Sequence, residues 1–572
     1  MAVLPATSQS QGSSHNLEVG KNLDIFNNLY SHLDLFYVDT LNPATTMTAA
    51  IDGMLRSLDP YTEYYPEGDS KNLKMMLTGK YAGIGALVKY HSRLKRVVID
   101  EPYEGMPASE VGLKKGDIIV SIDDSLMTDK DVSYVSSHLR GDPGTTFMLK
   151  VLRPDAVGHA SQRDNAVGHA SQRDYKEMSF KITRRNIKLS EMPYYGMSSD
   201  SIGYINFNQF TEGSAKEVRR AFIDLKKQGA RGMILDLRSN GGGAEIEAVD
   251  LVNIWVPQEQ MVVENRGKVR QASRTYTTRL EPVDTVMPLV VLVNGETASA
   301  SEITSGALQD LDRAVVMGTR TYGKGLVQVP MDLPYNTNVK ITTSKYYIPS
   351  GRCIQAINYA KNREASGGNK SSRGSRLYAD RTPDSLTHVF YTRHGREVRD
   401  GGGIKPDIEA KNDTMPNIAY YLSAGGLDST EVMFDYVVAY IARHPQIASP
   451  LDFHLTEEDW QEFRQRVIDS GFTYDNQSRK QFDELVKTAK FEGYYDEARD
   501  AFDALSSRLR HDVATELDKH RSTIMQMLEL DIIAAYHYQA GAIAAGLPYD
   551  KVYLEAVELL KNQDKYTRIL RP

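Results

Sequence analysis

The sequence predicts a multidomain α/β protein with helical regions at both ends. Three observations carry that reading. Between about 187 and 328, short apolar runs such as MILDLR (233–238) and LVVLV (289–293) alternate with helix-period segments and end in turns. From about 75 to 185 the apolar runs are short strands, VVID (97–100), GDIIVSID (116–123) and FMLKVLR (147–153), broken by turns such as the one at 141–144. Beyond about 411, apolar positions recur at helical intervals only. With 572 residues, 41% of them hydrophobic, the chain can form three or four separate cores.

Residues 1–17 read as a flexible tail. They have neither a positively charged start nor an adequate apolar stretch, so they are not an intact signal peptide. Residues 18–74 form a helical region: Leu23, Phe26, Leu29, Tyr30 and Leu33 keep helical spacing, as do Met47, Ile51, Met54, Leu55 and Leu58, with Asn42-Pro43 between the two runs. That region fits a dimerisation arm or a cap on the core equally well. The segment 75–185 follows, with a helix at 131–139. It contains a perfect tandem repeat, AVGHASQRD at 156–164 and 166–174, which fits a solvated hairpin tip. Two copies are too few for a repeat architecture, and His159 and His169 make no recognised metal pattern.

The core at 186–410 opens with a β–α–β unit: strand 202–207, helix 214–228, strand 233–238 and a glycine turn at 240–243. A helix at 245–254, strands at 262–265 and 289–293, a helix at 303–311 and a strand at 314–317 continue the alternation. Residues 364–386 are rich in Gly, Ser and Arg and read as a flexible excursion. The region 411–572 carries helical patterns at 433–442, 457–468, 479–489, 495–517, 522–545 and 553–561, and no catalytic motif.

Composition excludes several function classes. Sixty-eight basic residues against 75 acidic ones give a net charge of −7, which argues against a nucleic-acid partner. The single cysteine, Cys353, excludes an intramolecular disulfide and any cysteine-based metal cluster. No run approaches 18 apolar residues, so no membrane span is expected. The stretch 318–324 fits the phosphate-loop pattern GxxxxGK, but Gly325 stands where that pattern needs Ser or Thr, and a strand-like run follows where it needs a helix.

The stretch 290–328 concentrates the chemistry. A strand leads through small residues to Ser299 at a helix start, and the next strand leads to Lys324 between Gly323 and Gly325. A serine hydroxyl needs a base, and no histidine lies between Phe207 and Thr387. A lysine whose pKa is lowered by desolvation can take that role. Spacing alone leaves a second reading open, in which the serines only cap a helix and Lys324 is solvated.

The motifs together settle more than the spacing does. TASASEI (297–303) followed by TYGKGLVQ (321–328) resembles the carboxyl-terminal processing peptidases, which are serine–lysine proteases. LDPYTEYYP (58–66), IGYINFNQF (202–210), DLRSNGGG (236–243), KYYIPSGRCIQ (345–355) and GGGIKPDI (401–408) resemble further elements of that family, in its order. GIGA (83–86) with PASEVGLKKGDIIVSID (107–123) resembles its PDZ domain. The resemblance covers roughly 20–410; Thr297 and Gly241 depart from the family's usual Ser and Pro.

It implies a crotonase-like β/α spiral core with an inserted PDZ domain. It also implies Ser299 as nucleophile, Lys324 as base, Gln328 orienting the lysine, and Gly242 and Ala300 as the oxyanion hole. Glu302 matches a position usually acidic there. Gly83, Ile84, Gly85 and Ala86 would cradle the carboxyl terminus of a protein or peptide substrate. Export to the periplasm or cell envelope with removal of a signal, a possible homo-oligomer, and chemistry needing no cofactor or metal follow from the same resemblance. The rival readings are a catalytically silent or latent PDZ scaffold, and acyl-CoA chemistry on the same core.

Overall fold

The computed structural model describes residues 10–69, 80–154, 175–357, 359, 382–424, 431–474, 477–509 and 512–571. The tandem repeat and most of the segment 364–386 lie outside them. Two helices open the chain, α1 (Ser10–Phe36) and α2 (Pro43–Arg56). The first begins eight residues before the expected boundary at 18, so part of the expected tail is helical. Asn42 caps α2 by accepting from Thr45 N at 3.1 Å. A short strand β1 (Glu63–Tyr65) follows, then β2 (Lys80–Gly83), β3 (Ala86–His91), β4 (Arg96–Pro102), α3 (Pro107–Glu110), β5 (Ile118–Ile122) and β6 (Ser125–Leu126). Helix α4 (Val132–Leu139), strands β7 (Thr146–Pro154) and β8 (Tyr175–Thr183), and β9 (Arg185–Lys188) complete this unit. Its sheet runs β3-β4-β5-β7-β8, with β3 at the edge beside α4. Val97, Ile99, Ile119, Val135, Phe147 and Leu149 fill its core.

The next unit is built on a six-stranded sheet. In chain order come β10 (Tyr194–Met197), β11 (Ile202–Asn206), α5 (Ser214–Lys227), β12 (Gly232–Asp236), α6 (Glu245–Val252), β13 (Met261–Gly267), β14 (Arg274–Thr277), β15 (Leu289–Val293), α7 (Ala300–Asp310) and β16 (Val315–Gly318). Then follow β17 (Leu326–Leu333), β18 (Thr337–Tyr347), the hairpin β19 (Val389–Tyr391) and β20 (Glu397–Arg399), and β21 (Ile408–Glu409). The sheet order is β10-β11-β12-β15-β16-β21, parallel except at β10. The continuous apolar runs of β12 and β15 fit a sheet covered on both faces. A second sheet, β1-β18-β13-β14 with β17 on β18, stands beside it.

The carboxyl-terminal region comprises α8 (Asn417–Ala424), α9 (Val432–Arg443), α10 (Glu457–Asp469), α11 (Gln477–Glu492), α12 (Arg499–Arg508), α13 (Val513–Lys519), α14 (Arg521–Gly546), α15 (Lys551–Lys561) and α16 (Gln563–Leu570). The pattern at 495–517 is two helices rather than one. The break comes where Asp512 caps α13, accepting from Thr515 N at 3.0 Å.

This region covers the core instead of standing apart from it. Helices α5, α6 and α7 bury one face of the six-stranded sheet through Phe222, Leu251 and Leu308. Val552, Tyr553, Ala556 and Leu560 of α15 and Tyr566 of α16 bury the other. The Tyr566 hydroxyl donates to Leu289 O at 3.0 Å and accepts from Leu289 N at 2.9 Å, reaching the buried strand β15.

Helix α9 holds the β3–β8 unit in turn. Phe434 and Val438 pack on Val98 and Ile118. His91 Nε2 lies 2.9 Å from Asp435 of α9, and α14 adds a contact of its own, Lys115 Nζ lying 2.9 Å from Asp531. Among the described residues no helix is long and apolar enough to cross a membrane.

Candidate active site

Ser299 and Lys324 come from the loops after β15 and β16, at the carboxyl ends of adjacent parallel strands, where ligands of open α/β sheets are bound. Ser299 immediately precedes α7 with φ 59° and ψ −117°, a conformation that a non-glycine residue rarely holds. The contacts around it fix that conformation. The fully buried Glu302 carboxylate accepts from Ser299 N and Lys324 N, both at 2.9 Å, from Gly323 N at 2.7 Å and from Thr321 Oγ1 at 2.5 Å. One carboxylate therefore ties both loops together. Burial pushes its pKa up to about 7, against the lowering effect of those four donors. The buried Tyr346 hydroxyl lies between the carbonyl oxygens of Ser299 and Lys324 and shares its proton with them.

Lys324 is half-buried, and its Nζ lies 4.6 Å from the centroid of the Tyr61 ring. Its pKa is lowered to about 8, first by desolvation and next by the Lys340 ammonium, while Glu302, Asp59 and Glu63 oppose the shift. Lys340 is brought there by strand register: β1 pairs with β18 so that Glu63 faces Lys340, and the two side chains meet at 2.7 Å. Among the described residues no hydrogen bond joins Ser299 Oγ to Lys324 Nζ. Gln328 does not reach the amine either; its Nε2 donates to Leu326 O and Thr342 Oγ1, each at 3.2 Å.

The glycine turn after β12 lies against the serine loop. Gly242 has φ +95°, and a Cβ there would stand 2.8 Å from Ala300 N and 2.9 Å from Ser299 Cβ, so only glycine fits. Ala300 N–H opens α7, where the first amides have no intrahelical partner. Gly242 N–H, in contrast, already donates to Asn240 Oδ1 at 2.9 Å. Asn240 ties the turn to the serine loop, its carbonyl accepting from Ala298 N at 3.0 Å and Ser301 Oγ at 2.9 Å. Asp236 and Arg238 form an ion pair, at 2.5 Å. The arrangement offers a strained serine, a desolvated amine and an amide-lined turn, which is the equipment of acyl transfer.

Gly83 ends β2, Ala86 begins β3, and Ile84 and Gly85 form the link between them. Ile84 O accepts from Ala108 N at 2.8 Å and Gly85 O from Tyr103 N at 2.9 Å, which anchors the loop at the end of the open edge of β3. Gly85 has φ +70°, and a Cβ there would meet Met106 Cβ at 2.4 Å. Cys353 is half-buried with its thiol pKa raised by burial, in keeping with inert packing. Tyr61, Lys340 and Tyr346 were not singled out by spacing. The first and last lie within LDPYTEYYP and KYYIPSGRCIQ, the only signal that marks them.

Comparison with known proteins places the chain in a family. The description "Peptidase family S41" matches residues 201–365, a PDZ domain matches 98–153, and "Probable PDZ-protease, C-terminal helical domain" matches 423–560. A carboxy-terminal-processing protease of Bartonella bacilliformis is 30% identical over 360 residues, covering 62% of this chain and 78% of that protein. The chain belongs to the carboxyl-terminal-processing peptidases. A carboxyl-terminal-processing protease of Synechocystis is 34% identical over 312 residues, or 54% of this chain and 68% of its own. Among solved structures, a photosystem II D1 C-terminal processing protease aligns with a TM-score of 0.36 at 25% identity, covering 67% of this chain and 86% of that one. The protein is thus a serine-type peptidase of this family, carrying a PDZ domain and a helical carboxyl-terminal domain.

Proposed function

We propose that the protein is an endopeptidase that cleaves proteins selected by their carboxyl termini, with Ser299 as nucleophile and Lys324 as base. The observation that carries this reading is Glu302, whose one buried carboxylate holds the backbones of both residues while the lysine amine is desolvated. In the proposed reaction Ser299 Oγ bonds to the scissile carbonyl carbon and its proton passes to Lys324 Nζ. The tetrahedral oxyanion is held by Ala300 N–H and by Gly242 N–H, the latter turning from Asn240 Oδ1. Collapse expels the amine with the lysine's proton, and water then hydrolyses the acyl-enzyme, with no cofactor or metal required. Gln328 is assigned to steady the neutral amine once substrate is seated.

The PDZ domain is read as 75–185 and the protease core, of crotonase-like spiral type, as 186–410, between helical regions at 18–74 and 411–572. A carboxyl-terminal peptide is expected to extend β3 as an added strand, its carboxylate at Gly83, Ile84, Gly85 and Ala86. Action in the periplasm or cell envelope after export, and a homo-oligomer, complete the reading. The unmade Ser299–Lys324 hydrogen bond favours one further reading, a latent resting form whose dyad closes only with substrate. The test is cleavage of an unfolded protein with an apolar carboxyl terminus, free or amidated. Faster cleavage of the free form, abolished by Gly85→Val, supports PDZ selection; equal rates for both forms would exclude it.

A further inference from the structure

The turn that lies against Ser299 is held from outside the protease core. Asp550 stands at the start of α15 in the helical carboxyl-terminal domain, and its Oδ2 accepts from Arg238 Nη2 at 2.6 Å. Arg238 also donates from Nε to Asp236 Oδ1 at 2.9 Å and from Nη2 to Asp236 Oδ2, at the end of β12. Asp236 is locked in turn by the Tyr204 hydroxyl at 2.8 Å. All three charged side chains are largely withdrawn from solvent, at 18%, 3% and 16% exposure for Arg238, Asp236 and Asp550. A guanidinium between two carboxylates in such surroundings has one strongly preferred position.

That position fixes the residues next in the chain. Ser239 takes φ +59°, and its N–H donates to Asn294 Oδ1 at 2.9 Å while Asn294 Nδ2 donates back to Ser239 Oγ at 3.1 Å. Asn240 then accepts from Ala298 and Ser301 on either side of Ser299. The path from Asp550 to the serine loop is therefore an unbroken run of hydrogen bonds and two covalent links.

We propose that Asp550 is a positioning residue for Ser299 and the adjoining amide turn, acting through Arg238, so that the catalytic centre is complete only when the helical carboxyl-terminal domain is docked. The inference rests on the reading of Ser299 as nucleophile. Burial alone would raise the Asp550 pKa, yet Arg238 holds it below the usual carboxylate value, as expected of a carboxylate whose charge is in use.

A substitution separates this role from simple folding. Asp550 Oδ1 caps α15 by accepting from Val552 N at 3.0 Å and Tyr553 N at 3.1 Å. Asp550→Asn can keep that acceptor, and it puts an NH2, which cannot accept, where Oδ2 now accepts from Arg238. The control is Asn562→Ala, which deletes the cap of α16 on Lys565 N and leaves Arg238 untouched. The full-length chain would be assayed for kcat, KM, melting temperature and the rate at which a fluorophosphonate labels Ser299.

Asp550→Asn should lower kcat and the labelling rate by about tenfold to a hundredfold with KM nearly unchanged, and Asp550→Glu should restore part of the loss. Asn562→Ala should lower the melting temperature without that fall in kcat. Equal labelling and kcat in wild type and Asp550→Asn would overturn the inference, as would an equal fall in kcat from Asn562→Ala. Wild type that is neither labelled at Ser299 nor active would instead overturn the nucleophile assignment on which it rests.

Discussion

Lys340→Gln isolates the electrostatic part of the proposed mechanism. Lys324 can accept the serine proton only when neutral, so kcat/KM of the wild type should rise with pH through about 8. Lys340 contributes to that lowered value by repelling a second ammonium, and it also neutralises Glu63 at 2.7 Å. Replacing it by glutamine removes the repulsion and releases Glu63 as an attractive anion, so both consequences raise the Lys324 pKa. A change of about one unit corresponds to ~1.4 kcal/mol, a plausible size for one charge in partly buried surroundings.

With a pKa near 8, roughly a tenth of Lys324 is neutral at pH 7; one unit higher, roughly a hundredth is. Lys340→Gln should therefore be about tenfold slower at pH 7, and the difference should vanish above about pH 10. Lys340→Arg, which keeps the charge, should follow the wild-type profile. The assay is kcat/KM for a quenched peptide between pH 6 and 10. A loss of equal size at every pH would refute the reasoning, because it would mean that the β1–β18 contact had been damaged and not the titration of the base.

Two further substitutions probe the supports. Glu302→Gln puts an NH2 where each carboxylate oxygen now accepts from two donors, so stability should fall by about 1–3 kcal/mol and activity by orders of magnitude; urea unfolding and peptide cleavage measure the two. Gly116→Ala places a Cβ 2.5 Å from Val438 Cγ1 at a residue with φ +90°, which should cost about 2–3 kcal/mol and loosen the PDZ domain from α9. Adding Val438→Ala should recover part of that loss in thermal unfolding, and no recovery would mean that backbone strain alone is responsible.

Much of the core was legible because its signals are local. The buried strands LVVLV and MILD, the helix after Ser299 and the glycine turn announce themselves in composition and period. The loop positions of Ser299 and Lys324 follow from the strands before them. What could not be read is what distant segments bring. Tyr61 and Lys340 shape the Lys324 amine only because β1 pairs with β18, across some 270 residues of chain. Asp550 reads in the sequence as an ordinary helix cap, and nothing local indicates that it meets Arg238. The helical carboxyl-terminal domain likewise shows its helices but not its partner; the apolar face of α15 fits the open face of the parallel sheet, and that complementarity exists only in three dimensions. The helical pattern at 495–517 hides a break at Asp512, a residue type that favours a helix start over a helix interior and here caps a new one.

The most direct test is cleavage of an unfolded protein with an apolar carboxyl terminus by wild type, Ser299→Ala and Lys324→Ala, each confirmed folded by its melting transition. Cleavage by the wild type, with both variants reduced by several orders of magnitude, is the expected result. Equal cleavage by all three would contradict the assignment of the nucleophile and its base.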